Sequence, residues 1–303
     1  MGFKNMKKKI NIGLIGYSDG NGHPFSWSAI VNGFNQKYLN KCPFPIIREY
    51  LSEEKNKYEK INDVNISHIW TQNNFYSKLI SDFAYIPNIV KNYYDMIDNV
   101  DAVMLARDDF ENHLYYSLPF IEAGIPIYID KPIANSMHEL KNILSRQIYK
   151  GQVFSHSALR YAKEFNFDQK YLSSFGTINE VIAMAPKDWS HYSIHIIEPV
   201  VRAFDLTNNF KLIGREIYGK KGKILNLKWD NLQSVKFITT GENDSEISIE
   251  INGTNKSEKI IFQDTYNAFK SCIIDFISRI GNKSNTYSEE ELGLYVKLIE
   301  TGI

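Results

Sequence analysis

At 303 residues the chain is long enough for about two domains and for a core that needs no covalent staple. Lys plus Arg (35) balance Asp plus Glu (35), which argues against a chain built around a broad basic face for nucleic acid or anionic membrane. The two cysteines, Cys42 and Cys272, are too few for a disulfide framework or a cysteine-rich zinc site. No apolar run reaches the roughly 20 residues that a membrane span needs. The basic start MGFKNMKKK leads into no signal-peptide pattern, and Met6 breaks the Gly2 myristoylation pattern. The expected compartment is the cytoplasm.

Taken in chain order, the first half alternates strand-like and helix-like runs, the rhythm of a parallel sheet with crossover helices. Residues 10–16 (INIGLIG) read as a buried first strand, followed by a Gly/Ser/Asp turn and a helix through Trp27, Ile30, Val31 and Phe34. Residues 35–65 are polar and read as an insertion with a short strand at 44–47. The next core strand is 66–70 (ISHIW), then a helix at 76–83, a short apolar piece at 89–90 and a helix at 94–97. A strand at 101–106 (DAVMLA) precedes a helix at 112–122 closed by Gly124. A strand at 126–129 (PIYI) ends at Asp130-Lys131-Pro132, and a helix at 136–145 completes this half. Four strands with interleaved helices in residues 1–150 fit a Rossmann-type, doubly wound parallel sheet that binds a dinucleotide.

Residues 151–303 change rhythm. Runs at 152–156, 178–185, 211–218, 223–227, 233–239, 246–251 and 259–263 read as strands of one large, mostly antiparallel open sheet. Helices are expected at 191–204 and 266–279, and a last one opens near Ser288 on three glutamates, where the helix dipole favours negative charge. The second domain is therefore α+β, and the exposed side of its sheet suggests a homo-oligomer.

Three places carry candidate chemistry. The turn Gly16-Tyr17-Ser18-Asp19-Gly20-Asn21-Gly22-His23 leads a strand into a helix N-terminus, an arrangement that suits a phosphate. Ser18 breaks the G-x-G-x-x-G fingerprint, so a plain turn is the competing reading. Lys131 stands at the carboxyl end of a parallel strand, with Pro132 biasing it toward extended backbone. There it is either a solvated lysine or one that polarises a substrate hydroxyl. The third place is Trp189-Ser190-His191-Tyr192-Ser193-Ile194-His195, where His191 and His195 are i and i+4 on a helix with Glu198 further along. Paired histidines can hold zinc or do acid/base work, or simply pack. Tyr192 stands where H-E-x-x-H would need Glu, and no metal is expected.

These pieces, in this order, resemble the glucose–fructose oxidoreductase/inositol dehydrogenase/MocA (Gfo/Idh/MocA) family over nearly the whole chain. The likeness runs through INIGLIGYSDGNGHPFSW, VDAVMLARDD, AGIPIYIDKPIA (close to A-G-K-x-V-x-x-E-K-P), Arg160, Gly176 in SSFGTINEV, and His195, which matches the histidine of the family's D-x-x-x-H helix. The resemblance implies a nicotinamide-dependent oxidoreductase acting on a secondary alcohol of a sugar, nucleotide-sugar or cyclitol. Lys131 would bind and polarise the reacting hydroxyl, and His195 would exchange its proton, with His191 beside it. Gly16, Ser18, Gly20, Gly22 and His23 would lie against the pyrophosphate. Arg107, Asp108 and Asp130 would approach the nicotinamide end, and Thr71 and Gln72 the adenosine. Arg160, Trp189 and Tyr192 would face the substrate, and copies would pair through the C-terminal sheet.

Three positions depart from the family. His191 stands where Asp is usual, Asp130 is one methylene shorter than the usual Glu, and Thr71-Gln72-Asn73 supply no acid to grip a ribose 2′-hydroxyl. The cofactor is therefore NAD or NADP. The same residues leave room for a non-catalytic relative that senses a dinucleotide or sugar, and for an enzyme that oxidises transiently to eliminate or epimerise.

Overall fold

The computed structural model describes residues 9–53, 59–281 and 288–303. By internal contacts these fall into two units. One comprises the described residues of Met1–Asp130, Asn142–Phe154 and Ile273–Tyr287; the other comprises Lys131–Lys141, Ser155–Cys272 and Ser288–Ile303.

The first unit is built on a six-stranded sheet. Its strands are β1 (Ile10–Ile15), β2 (Val64–Trp70), β3 (Asn88–Ile89), β4 (Ala102–Leu105), β5 (Ile127–Ile129) and β6 (Val153–Phe154). They run in the order β3-β2-β1-β4-β5-β6, all parallel, so β1 is the strand at which the winding reverses. β1 is central because Ile12, Leu14 and Ile15 are fully buried, as a strand covered on both faces requires. Register pairs Ile15 with Trp70 and with Leu105, and Leu105 with Ile129. Gly16, Thr71, Ala106 and Asp130 therefore emerge along one carboxyl edge. Helices α1 (His23–Asn32), α2 (Pro45–Ser52), α3 (Asn74–Phe83) and α4 (His113–Glu122) belong to this unit.

Two expectations are corrected here. Residues 44–47 form no strand: Pro45 starts α2, and Ile47, Tyr50 and Leu51 are buried at helical spacing. Phe44 and Ile47 of this segment pack on Gly22, where a Cβ would lie 2.6 Å from the Ile47 methyl. Residues 152–156 do not join the second sheet. Val153 and Phe154 pair in parallel with Ile127 and Tyr128, and both are buried on each face, which is parallel-sheet behaviour. The Gln152 carboxamide anchors that edge by donating to the Ile121 and Ile125 carbonyls.

The second unit carries β7 (Ile178–Ala185), β8 (Lys211–Tyr218), β9 (Gly222–Trp229), β10 (Leu232–Thr239), β11 (Ser248–Gly253) and β12 (Ser257–Ile261). Their order is β12-β11-β7-β10-β9-β8, with only the β7–β10 pair parallel. The expected combination of a Rossmann-type sheet and a mostly antiparallel open sheet is thus what the chain folds into. Helix α5 (Met137–Leu144) follows the Lys131 segment, and α6 (Gln169–Ser173) precedes β7. The single helix expected at 191–204 is two, α7 (Trp189–Tyr192) and α8 (Ile194–Ala203), because Asp188 caps the first through the His191 N–H and the chain re-initiates at Ser193. Helix α9 (Thr265–Arg279) follows the sheet, and α10 (Glu289–Gly302) is capped by Ser288 with Glu289, Glu290 and Glu291 in its first turn. Val181, Ala183, Leu225, Leu227, Val235 and Phe237 alternate inward, and α8 and α10 lie against this sheet. Among the described residues no helix is long and apolar enough to cross a membrane.

Candidate functional site

In the first unit the turn after β1 is tied to neighbouring strand ends. The Gln72 side chain engages both backbone groups of Tyr17: its oxygen accepts from the Tyr17 N–H at 3.0 Å, and its NH2 donates to the Tyr17 carbonyl. Arg107 donates to the same carbonyl and to Gln72 Oε1, each at 3.0 Å, while its other edge grips Asp109. Although burial opposes it, the Arg107 guanidinium holds the Asp109 carboxyl below the usual range. The Tyr17 ring stacks on Tyr76 at 4.2 Å, and burial together with Tyr76 pushes its phenol up to about 12. Ser18 Oγ donates to Asp108 at 2.6 Å and accepts from the Asp108 N–H. His113 lies 2.7 Å from the Arg107 carbonyl and steadies the end of β4.

Asp130, fully buried, organises the far side of the turn. Asn21 donates to it at 2.9 Å, and His23 Nδ1 lies 2.5 Å from the same oxygen. The His23 ring continues into a stack on Trp27, which stacks in turn on Tyr128. Among the described residues the backbone N–H groups of Ser18, Asp19, Gly20 and Gly22 have no internal acceptor. A Cβ on Gly20, where φ is 77°, would meet nothing within 4 Å. Unspent donors around an open glycine, at the start of α1, fit the diphosphate of a dinucleotide. Thr71 is turned away: its hydroxyl donates to the Asn73 carbonyl and pairs with Ser77.

In the second unit Lys131, Tyr192 and His195 come together. The buried Lys131 ammonium lies 5.5 Å from the centre of the Tyr192 ring, and His195 meets that ring edge-on at 5.2 Å. His195 Nδ1 sits 2.8 Å from Ser157 Oγ, which fixes the orientation of the ring. Ser157 is held in turn, its N–H donating to the fully buried Glu198 at 2.7 Å. Glu198 also contacts His156 and Arg160. Arg160 goes on to grip Glu291 at 2.6 Å and Tyr295 at 2.8 Å, and Tyr295 donates to Glu291. Against the pull of burial, the two carboxylates raise the Arg160 guanidinium further. Glu291 is held low in return, with burial again the opposing influence. His191 turns instead to Asp188, its ring 2.9 Å from the carboxylate. Trp189 is buried, donates to the Ile299 carbonyl and packs on Gly302.

No family model matches the chain, and no curated protein matches it in sequence. Solved structures do match its fold over almost all of its length. A myo-inositol 2-dehydrogenase from Lactobacillus plantarum superposes with a TM-score of 0.69 at 13% identity, covering 97% of this chain and 95% of that one. An oxidoreductase from Vibrio cholerae described as a Gfo/Idh/MocA family member gives 0.65 at 11% identity, over 96% and 95%. The fold is that of the Gfo/Idh/MocA oxidoreductases. GenD2 from gentamicin A biosynthesis, solved in complex with NAD, gives 0.70 at 10% identity, over 98% of this chain and 94% of that one.

On this Gfo/Idh/MocA scaffold the expected residues separate into two kinds. Lys131, Tyr192 and His195 converge, and Gly16, Ser18, Gly20 and Gly22 share one turn. Asp108 and Asp130 reach that turn through side chains, and Gln72, Arg107 and His23 brace it. Arg160, Trp189, His191 and Thr71 are instead committed to internal partners. Tyr17, Asn21, Ser157 and Glu198 matter for the geometry and were not named as site residues from sequence. Tyr17 and Asn21 had a local signal inside the quoted turn, and Glu198 one in its spacing from His191 and His195; Ser157 had none. Among the described residues no group of three or more His, Cys, Asp and Glu side chains is arranged to hold a metal.

Proposed function

We propose that the protein is an NAD(P)-dependent oxidoreductase acting on a secondary alcohol of a sugar, nucleotide-sugar or cyclitol. The observation that carries this reading is the meeting of Lys131 and His195 on the Tyr192 ring. An ammonium and an imidazole at one spot are what alcohol oxidation asks of a protein: a positive charge to stabilise developing alkoxide, and a base to take the proton. Lys131 binds the hydroxyl oxygen and lowers the cost of its negative charge. His195 takes the hydroxyl proton, while Ser157 on Nδ1 keeps the ring in place through either protonation state. Tyr192 forms the wall against which the two groups are held.

The nicotinamide, when bound, supplies the hydride chemistry. The residues fitted to hold the cofactor are Ser18, Asp19, Gly20 and Gly22 by their N–H groups, with Gln72, Arg107, His23 and Asp130 keeping the turn in shape. Asp108, joined to Ser18, is placed for a ribose hydroxyl. The expected homo-oligomer would use β8, where Ile213 and Ile217 are exposed.

The test is an oxidation screen of purified protein with NAD+ and with NADP+ against neutral and charged sugars, cyclitols and nucleotide-sugars, following absorbance of the reduced nicotinamide. Net reduction with at least one substrate, lost in His195→Ala, is the expected result. Consumption of substrate without accumulated reduced cofactor would convert the reading to transient oxidation. Cofactor binding without any conversion would leave a sensor.

A further inference from the structure

β7 ends at Ala185, and the chain turns through Pro186, Lys187 and Asp188 before α7. Lys187 holds φ at 63°, in the left-handed region that residues with a Cβ adopt at a cost. An antiparallel bridge to Gly241 fixes that conformation, the Gly241 N–H donating to the Lys187 carbonyl at 2.8 Å. Gly241 is itself left-handed, and a Cβ there would lie 1.9 Å from the Lys220 carbonyl. The local backbone is thus shaped to set the direction of one lysine, and strain of this kind gathers at functional sites.

The Lys187 ammonium donates to the Tyr192 hydroxyl at 2.5 Å and lies 4.4 Å from the centre of the ring. That ring is the one that Lys131 and His195 also face. Among the described residues Lys187 has no carboxylate partner. The carboxylate next to it in sequence, Asp188, is engaged by the N–H and the ring of His191. Neutral hydroxyls are best matched by a mixture of donors and acceptors. Two ammonium groups around one phenol match a group that only accepts.

We propose that Lys187 is a substrate-binding residue that takes an anionic substituent, a carboxylate or a phosphate, on the molecule whose hydroxyl meets Lys131 and His195. The proposal rests on the oxidoreductase reading above and narrows its substrate to an acidic polyol. The sharpest variant is Lys187→Gly, which removes the ammonium and suits the left-handed backbone.

Calorimetric titration of the whole protein, with and without NADH, would compare D-glucose, D-glucuronate and D-glucose 6-phosphate. Wild type should bind at least one of the two anions about tenfold or more tightly than glucose, and the preferred anion tells carboxylate from phosphate. In Lys187→Gly the ratio should fall to about one, with the melting temperature retained. Equal binding of all three sugars by wild type, no binding of either anion, or an unchanged ratio in the variant would overturn the proposal. So would a variant that melts lower and loses glucose together with the anions, which would make Lys187 a prop for Tyr192. Failure to bind NADH would count against the oxidoreductase reading alone, since the sugar isotherms without cofactor judge Lys187 independently.

Discussion

The Gln72 carboxamide holds Tyr17 by both backbone groups, across 55 positions of sequence. Ser18 stands where the second glycine of a G-x-G-x-x-G turn would be, and this grip orders the backbone just before it. Arg107 shares it, bonding the Tyr17 carbonyl and Gln72 together. Gln72→Ala removes both contacts; the Tyr17 carbonyl keeps Arg107 but the Tyr17 N–H is left unmet, costing about 1–3 kcal/mol where it is buried. We expect the variant to weaken binding of reduced cofactor about tenfold, read from the dissociation constant, with a smaller loss in melting temperature.

Lys131→Ala and His195→Ala should separate chemistry from cofactor binding. On the proposed function each removes a group that acts on the reacting hydroxyl, and general acid–base groups contribute about 10²–10⁴-fold. We expect kcat to fall by that order in both variants while the cofactor dissociation constant stays within about twofold of wild type, the scatter expected when a group makes no cofactor contact. Unchanged turnover in either variant would remove that residue from the mechanism.

Acid should weaken the second unit through Glu291. Burial pushes its carboxyl up, but the bonds from Arg160 and Tyr295 prevail and hold it below the ordinary value. A carboxyl depressed in the folded state contributes stability that is complete above its unfolded pKa, about 4.3, and is lost as pH falls through the folded value. Denaturant unfolding followed from pH 7 downward should therefore show a decline below about pH 4.3, shallower in Glu291→Gln. The variant should be less stable at pH 7, because among the described residues Arg160 then keeps Glu198 alone as a charged partner.

Gly241→Ala tests the bridge that directs Lys187. A methyl there meets backbone rather than a movable side chain, and φ at Gly241 is 65°. Overpacking and left-handed strain together should cost about 2 kcal/mol or more in chemical denaturation. A loss below about 0.5 kcal/mol, the range of an ordinary surface substitution, would mean the bridge is soft.

Much of the scaffold could be read from local pattern. β1 is a mostly apolar run before a glycine-containing turn, and Asp130-Lys131-Pro132 punctuates the end of β5, so both segments announce themselves in sequence. β6 could not be read, because two residues, Val153 and Phe154, offer no alternation by which to choose a sheet. The 44–47 segment was misread because its apolar pair precedes a helical pattern that Pro45 starts. The supports of His195 were hidden for another reason. Ser157 lies 38 positions away, Arg160 meets Glu291 across 131, and no periodicity encodes either contact. Trp189 and Arg160 were expected to face a ligand because the family resemblance implies it. Their tertiary partners, the Ile299 carbonyl and the carboxylates of Glu198 and Glu291, claim them instead.

The most direct measurement is a titration of the folded protein with NADH and with NADPH, following tryptophan emission and energy transfer to the nicotinamide. Trp27 stacks on His23 at the turn, and Trp70 ends the neighbouring strand β2, so a dinucleotide at this edge lies within reach of both. The expected result is saturable quenching by at least one of the two, weakened in Gln72→Ala. No response to either cofactor, from protein whose melting transition shows it to be folded, would contradict a nicotinamide-dependent function.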